Sequence, residues 1–214
     1  MSDTSIWDAY HNWYYNSEVW EEVRYLGVPC NKSVSDMWNY QEILHELQPA
    51  LVVEFGTRFG GSALFFSVTG RAVNPALKVL TVDVRHDEVY PRVFQDSAIA
   101  MQTSSSVDPA VNSRIRRMRQ VCPGPVFFIL DSDHSKTHVL AELQALRHVV
   151  EAGDYVVVED GNINGNPVLP GWGDGPFEAV AAYFEAYPDD YERDKAREEK
   201  FGFTFAPGGF LVKR

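Results

Sequence analysis

The amino-acid sequence predicts an α/β protein with a doubly wound, mostly parallel sheet. Short apolar runs rich in β-branched or aromatic residues alternate with longer amphipathic segments, as buried parallel strands alternate with helices. These runs are LVVEF (51–55), KVLTV (78–82), SAIAM (97–101), VFFIL (126–130) and YVVVE (155–159). The tail FTFAPGGFLVKR places two apolar runs around Pro207-Gly208-Gly209, which predicts a terminal hairpin and an antiparallel edge.

The segments between these runs have the periodicity of helices. In SKTHVLAELQALRHVVEAG, Val139, Leu143, Leu146 and Val150 share one face, and Gly153 predicts the end of the helix. The aromatic residues before the first strand have no obvious place in the sheet core. Residues 1–48 are therefore predicted to form a helical lid or interface extension, and 49–214 a single globular domain.

Composition excludes several classes of protein. A length of 214 residues suits one domain, and a net charge of −11 is unlike that of a nucleic-acid binder. The basic run RIRRMR (114–119) is interpreted as the solvated end of a helix. With only Cys30 and Cys122, no signal-peptide pattern and no long apolar run, a cytoplasmic protein without membrane insertion is expected.

A glycine-rich turn follows the first strand and leads into a helix. It has the pattern E-x-G-x-x-x-G-x-S, formed by Glu54, Gly56, Gly60 and Ser62, with Thr57 after the first glycine. Glycines let backbone approach a ligand closely, and a helix N-terminus offers free N–H groups. A dinucleotide site would show G-x-G-x-x-G, and Glu54 would repel a phosphate but suit an ammonium group. S-adenosylmethionine (SAM) carries such an amine, so these residues are predicted to bind it.

Three further residues are assigned to the same cofactor. Asp83 ends the second strand, where a carboxylate can accept both hydroxyls of a ribose, and Ser105, within Ser104–Ser106, would lie near the adenine. Asp131 ends the fourth strand and is also assigned to the cofactor, although it or Ser132 could instead cap the next helix. A seven-stranded Rossmann-like sheet with a terminal hairpin is the arrangement of class I methyltransferases.

Acidic residues also follow two strands that are predicted to be neighbours. Asp133 lies just beyond the fourth strand, and Glu159-Asp160 end the fifth. Carboxyl ends of parallel strands open onto one crevice, so these carboxylates would meet, and a cation would be needed to keep them ionised. Oxygen ligands without cysteine favour Mg²⁺. The alternative is that each acid caps a loop or helix separately.

Several stretches resemble the cephalosporin hydroxylase family. They are VEFGTRFGGSALFF, LDSDHSKTHVLAEL, VVVEDGNINGNPV and FTFAPGGFL, within a similarity running from about Trp38 to the C-terminus. The resemblance implies a SAM- and Mg²⁺-dependent O-methyltransferase, some relatives being rhamnosyl O-methyltransferases, with metal ligands Asp133, Glu159 and Asp160. More distantly, Asp133-His134-Ser135-Lys136 resembles the D-H-x-K element of catechol O-methyltransferases, whose lysine is the base. The Glu-Asp pair departs from their Asp-Asn.

The general base is left open between His134, whose ordinary pKa is near neutrality, and Lys136, whose pKa would have to be lowered, and Asp133 is predicted to be catalytic together with them. The acceptor is predicted to be a hydroxyl of a glycoside or oligosaccharide, bound near the loop 161–176, where Trp172 could stack on a sugar. A homodimer is expected. The alternatives are a methyltransferase acting on a non-sugar hydroxyl, a non-catalytic SAM-binding accessory protein in antibiotic modification and a nicotinamide-dependent oxidoreductase, which the glycine spacing disfavours.

Overall fold

The computed structural model describes residues 3–214. The α-helices in this range are α1 (Asp3–Asn16), α2 (Val34–Leu47), α3 (Gly61–Val73), α4 (Pro109–Val121), α5 (Lys136–Leu146), α6 (Pro176–Ala186) and α7 (Lys195–Glu199). Two short 3-10 helices lie at Val19–Glu22 and Val93–Gln95. The strands are β1 (Arg24–Tyr25), β2 (Val28–Pro29), β3 (Leu51–Phe55), β4 (Lys78–Asp83), β5 (Ile99–Thr103), β6 (Val126–Leu130), β7 (Tyr155–Val158), β8 (Tyr191–Arg193) and β9 (Phe210–Lys213). None of these helices is long and apolar enough to cross a membrane.

Within the described chain, seven of the strands form one sheet in the order β5-β4-β3-β6-β7-β9-β8. The first five strands in this order are parallel, and β9 runs antiparallel to both β7 and β8. The predicted α/β class and the antiparallel C-terminal edge are therefore confirmed. Strands β1 and β2 form a separate antiparallel pair.

Strand β9 does not form the hairpin that was predicted around Pro207-Gly208-Gly209. Residues 203–206 do not form a strand, and β9 pairs instead with β8, with α7 between them. The reason is a buried carboxylate, because Asp36 accepts hydrogen bonds from the Phe205 amide at 2.8 Å and from the Thr204 hydroxyl at 2.5 Å. This backbone is therefore held by α2 and not by the sheet edge.

The core lies on both faces of the sheet, as a doubly wound sheet requires. On β3, Leu51, Val53 and Phe55 pack with α4, α5 and α6, whereas Val52 faces α2 and α3. Although α2 lies within the predicted extension 1–48, it supplies Tyr40 to this second layer, where the side chain is fully buried. Tyr15, in the last turn of α1, lies at the end of the sheet where the strands' carboxyl ends meet.

Candidate active site

The turn after β3 is in direct contact with the loop after β6. Gly56 has φ +95°, and a Cβ on this residue would overlap the carbonyl oxygen of Asp131. The Asp131 amide in turn donates to the Phe55 carbonyl at 2.9 Å. A side chain at position 56 would push the two loops apart. Glycine here therefore lets both loops border one cavity.

Asp83, at the end of β4, is held by the same turn. One oxygen of its carboxylate, Oδ2, accepts from the backbone amides of Thr57 at 2.8 Å and Arg58 at 3.0 Å. The carboxylate borders a cavity of about 410 Å³ that is lined by residues at the carboxyl ends of β3, β4, β6 and β7. We call it the main cavity. The other oxygen has only a long contact of 3.4 Å with the Arg85 amide. This oxygen is the one available to accept a hydrogen bond from a ligand hydroxyl.

Glu54 lies beneath the cavity and is not part of its lining. The side chain is fully buried, and Oε2 accepts from the Thr81 hydroxyl at 2.7 Å while Oε1 has no partner in the described chain. Burial raises the pKa of Glu54 to about 7, against the opposing effect of the Lys32 ammonium. The charge of Lys32 thus reaches Glu54, and the contact of Glu54 with the amine of the cofactor stays a prediction.

The other residues of the turn shape the floor of the site. The buried Thr57 hydroxyl bonds to Thr81 at 2.6 Å and to His86 at 3.2 Å. Gly60 precedes α3 with φ +82°, and Ser62 is buried in the first turn of that helix. Burial has the largest effect on the pKa of Glu54 and raises it, whereas the nearby Ser62 hydroxyl lowers it. These side chains hold Glu54 and the turn, and they do not line the main cavity.

Three ligand-type side chains meet beyond the ends of β6 and β7. Asp131, His134 and Asp160 each offer one atom that could bind a metal ion, and these three atoms lie within 4.8 Å of one another. Nε2 of His134 lies 3.1 Å from Asp160 Oδ2 and 3.8 Å from Asp131 Oδ1. The negative charge of Asp160 raises the pKa of His134, and burial raises the pKa of Asp160 to about 6. Asp160 also has φ +54°, a strained conformation for a residue with a side chain.

A buried lysine that the sequence analysis missed joins this cluster to Glu159. Nζ of Lys32 lies 2.6 Å from Asp131 Oδ2 and 2.8 Å from Glu159 Oε1, and only 2% of its side chain is exposed. Burial alone would lower the pKa of Lys32, but the two carboxylates hold it well above its ordinary value. Burial raises the pKa of Glu159. No local pattern marks Lys32, which lies in a short loop before α2.

Asp133 and Lys136 lie outside the cluster. Asp133 is exposed, and its Oδ1 accepts from the Ser135 amide at 2.8 Å. The Ser135 hydroxyl, and after it this amide, lowers the pKa of Asp133. Nζ of Lys136 lies 2.9 Å from Asp174 Oδ2, and this hydrogen bond raises the pKa of Lys136. Of the predicted metal ligands, the structure brings only Asp160 into the group of three. Between the two candidate bases, His134 borders the main cavity and Lys136 does not.

A second cavity of about 200 Å³ adjoins the first and shares Asp83 and Ser132 with it. It is bordered by Ser104, Ser105 and Ser106, the residues predicted to lie near an adenine, and also by Asp133. Because the strand order is β5-β4-β3-β6-β7, ligand-facing residues follow one another along the sheet edge. The serines after β5 lie at one end, and Asp160 after β7 lies at the other.

Comparison with known proteins gives matches over nearly the whole chain. A family model described as Rhamnosyl O-methyltransferase/CmcI matches residues 17–214. A rhamnosyl O-methyltransferase of Mycobacterium tuberculosis is 54% identical over 209 residues, which cover 98% of this chain and 85% of that protein. A rhamnosyl O-methyltransferase of Mycobacterium leprae is 52% identical over 210 residues, which cover 98% of this chain and 91% of that protein.

Solved structures resemble this one at low sequence identity. A CmcI structure with Mg and SAM has a TM-score of 0.72 at 19% identity, over 91% of this chain and 77% of that chain. The O-methyltransferase TomG of Streptomyces achromogenes, in complex with SAM, has a TM-score of 0.58 at 16% identity, over 85% and 81% of the two chains. At these identities the likeness is one of fold, that of class I methyltransferases. Through the family match and its close relatives, the chain belongs to the rhamnosyl O-methyltransferase/CmcI family, the group that the sequence motifs indicated.

Proposed function

We propose that this protein is a SAM- and Mg²⁺-dependent O-methyltransferase that acts on a hydroxyl of a sugar. The observation that carries the proposal is that Asp131, His134 and Asp160 border the same cavity as Gly56 and Asp83. A nucleoside site and a cation site therefore share one space. The names of the mycobacterial relatives support a glycosidic acceptor.

The residues present fit SAM. The Gly56 turn leaves backbone at the cavity where a side chain would not fit, and Asp83 Oδ1 is available to a ribose hydroxyl. Ser105 lies at the adjoining cavity, on the side where an adenine would follow the ribose. The arrangement suits an elongated nucleoside that runs along the carboxyl ends of β5, β4 and β3.

The residues present also fit a divalent cation. Asp131 and Asp160 are the carboxylates of the group, and oxygen atoms are the ligands that Mg²⁺ prefers. The sequence-based ligands Asp133 and Glu159 stay a prediction, which substitutions can separate from Asp131. When bound, SAM supplies the methyl group on a sulfonium, and Mg²⁺ supplies positive charge that lowers the pKa of the acceptor hydroxyl.

His134 is the base that we propose. With Asp131 and Asp160 as the proposed cation ligands, Nε2 of His134 is left free to take the hydroxyl proton, and the negative charge of the nearby carboxylates stabilises the imidazolium. Lys136 is tied to Asp174 at the outer surface. Asp133, predicted to be catalytic, holds the Ser135 amide at the start of α5 and so positions the loop that carries His134.

Calorimetry and kinetics test this function. SAM should bind the purified protein, and methyl transfer to a rhamnoside should need Mg²⁺ and stop with EDTA. Asp160→Asn should still bind SAM and should no longer bind Mg²⁺. Asp133→Asn is the matched comparison: it should still bind Mg²⁺ if Asp131, and not Asp133, is the ligand. His134→Gln should lower kcat about 10²–10⁴-fold, whereas Lys136→Met should change it little. An absence of SAM binding, with or without Mg²⁺, contradicts the proposal.

The cytoplasmic location, the homodimer and the absence of a nucleic-acid partner are carried forward as predictions from the sequence. The net charge of −11 supports the last of these. Light scattering on the purified protein measures the oligomeric state directly. A monomer at all concentrations would contradict the dimer.

A further inference from the structure

Three aromatic side chains form a wall at one side of the main cavity. Tyr15 comes from the last turn of α1, Trp20 from the short helix after it, and Phe205 from the loop before β9. The rings of Tyr15 and Trp20 stack at 5.6 Å with an interplanar angle of 26°. Phe205 packs edge-on against Trp20 at 6.1 Å. We call these three residues the aromatic wall.

The aromatic wall flanks the β7 end of the site. The Phe205 carbonyl accepts from the amide of Asn162, two residues after Asp160. Burial raises the pKa of Tyr15, and the negative charge of Asp160 adds to this effect, as expected for a phenol that lies near this carboxylate. The serines proposed to face the adenine follow β5, four strands away along the sheet edge. The wall is therefore on the opposite side of the cluster from the nucleoside.

Asn31 adds an unpaired amide beside the wall. It borders the main cavity, its Oδ1 is buried without a partner, and no hydrogen bond joins its side chain to another residue within 3–214. Its backbone has φ +47°, a left-handed conformation that asparagine adopts more readily than most residues. A buried amide oxygen is normally hydrogen-bonded, so an unsatisfied one that borders a cavity indicates a ligand. An amide both donates and accepts, which matches a hydroxyl.

We propose that the aromatic wall and Asn31 form the subsite for the acceptor sugar, an inference that rests on the proposed function. A pyranose has an apolar C–H face that packs on aromatic rings and a rim of hydroxyls that hydrogen-bond to an amide. A ring seated here presents a hydroxyl to Asp160 and His134. Trp172, which the sequence suggested as a stacking residue, is 57% exposed and does not line the cavity.

Substitutions at the subsite, with 4-nitrophenyl α-L-rhamnopyranoside as the acceptor probe, test the inference. Trp20→Ala should raise KM for the rhamnoside about tenfold, equivalent to about 1.4 kcal/mol, and Trp20→Phe should restore part of the loss. Asn31→Gly removes the amide while tolerating the positive φ, and should also raise KM. The dissociation constant for SAM, measured by calorimetry, should stay within about twofold in each variant, because the nucleoside lies elsewhere.

Trp13→Ala is the matched control, because this tryptophan lies on α1, as Tyr15 does, but is 59% exposed and outside the cavity lining. It should leave KM unchanged. If Trp20→Ala fails to fold, Asn31→Gly alone carries the test. An unchanged KM in the folded variants, or a rise in KM for Trp172→Ala instead, overturns the inference. If the wild type binds SAM but no rhamnoside, the sugar subsite is wrong, whereas failure to bind SAM refutes the proposed function itself.

Discussion

Removal of Lys32 is expected to destabilise the protein strongly. The ammonium group neutralises Asp131 and Glu159 at 2.6 and 2.8 Å, and Glu159 is only 6% exposed. Breaking a buried ion pair by deleting one partner typically costs about 3–5 kcal/mol, because a charge is left without compensation. In Lys32→Met the methionine fills similar space, so the loss of charge dominates over a packing defect.

The magnitude is limited by Glu159, which can bind a proton in the variant. The ordinary pKa of this carboxyl group is 4.5, so binding a proton at pH 7 costs about 3 kcal/mol, at about 1.36 kcal/mol for each pH unit. The free energy of unfolding should therefore fall by about 3–4 kcal/mol, which lowers Tm by about 10 °C for a chain of this length.

Urea and thermal unfolding followed by circular dichroism measure this loss. Lys32→Met/Glu159→Gln should recover part of the stability, because the buried negative charge is gone. Lys136→Met is the control, since this lysine makes an exposed ion pair with Asp174 and its removal should leave Tm nearly unchanged. If Lys32→Met unfolds within about 2 °C of the wild type, the buried charge network is not as described here.

Two further predictions concern the N-terminal helix and the glycine turn. His11 is 4% exposed, and burial lowers its pKa from 6.5 to about 4. The free energy of unfolding should therefore be at its full value above pH 6.5 and fall by about 3 kcal/mol in total as the pH falls toward 4, because the unfolded chain binds a proton that the folded protein excludes. The free energy of unfolding of His11→Phe, measured by urea denaturation between these pH values, should fall less steeply with decreasing pH than that of the wild type. Equal slopes in the two proteins would contradict the assignment. Gly56→Ala should lower the free energy of unfolding by about 3 kcal/mol or more, through positive φ and overlap with the Asp131 carbonyl. The control Gly171→Ala has φ +88° but open space around the Cβ, so urea denaturation should show a loss of only about 1 kcal/mol, and equal losses would exclude the steric overlap.

Local patterns in the sequence determined most of the fold. The β-branched runs predicted β3, β4, β6 and β7 nearly to the residue, because buried parallel strands need continuous apolar side chains. The glycine turn and Asp83 were predicted from the same logic, since the carboxyl ends of such strands open onto one crevice. Asp160 follows from this argument as well. Each of these predictions depends on residues close to one another in the chain.

Only the tertiary structure decided which side chains share the site. Lys32 reaches Asp131 and Glu159 across 99 and 127 residues, and Asp36 takes the backbone at Phe205 across 169 residues, away from the expected strand. Asp131 and not Asp133 meets Asp160, because the loop after β6 directs the Asp133 side chain to the first turn of α5. Periodicity specifies which face of an element is buried. It does not specify which charged group compensates a buried carboxylate, since that depends on distances set by packing between segments remote in the chain.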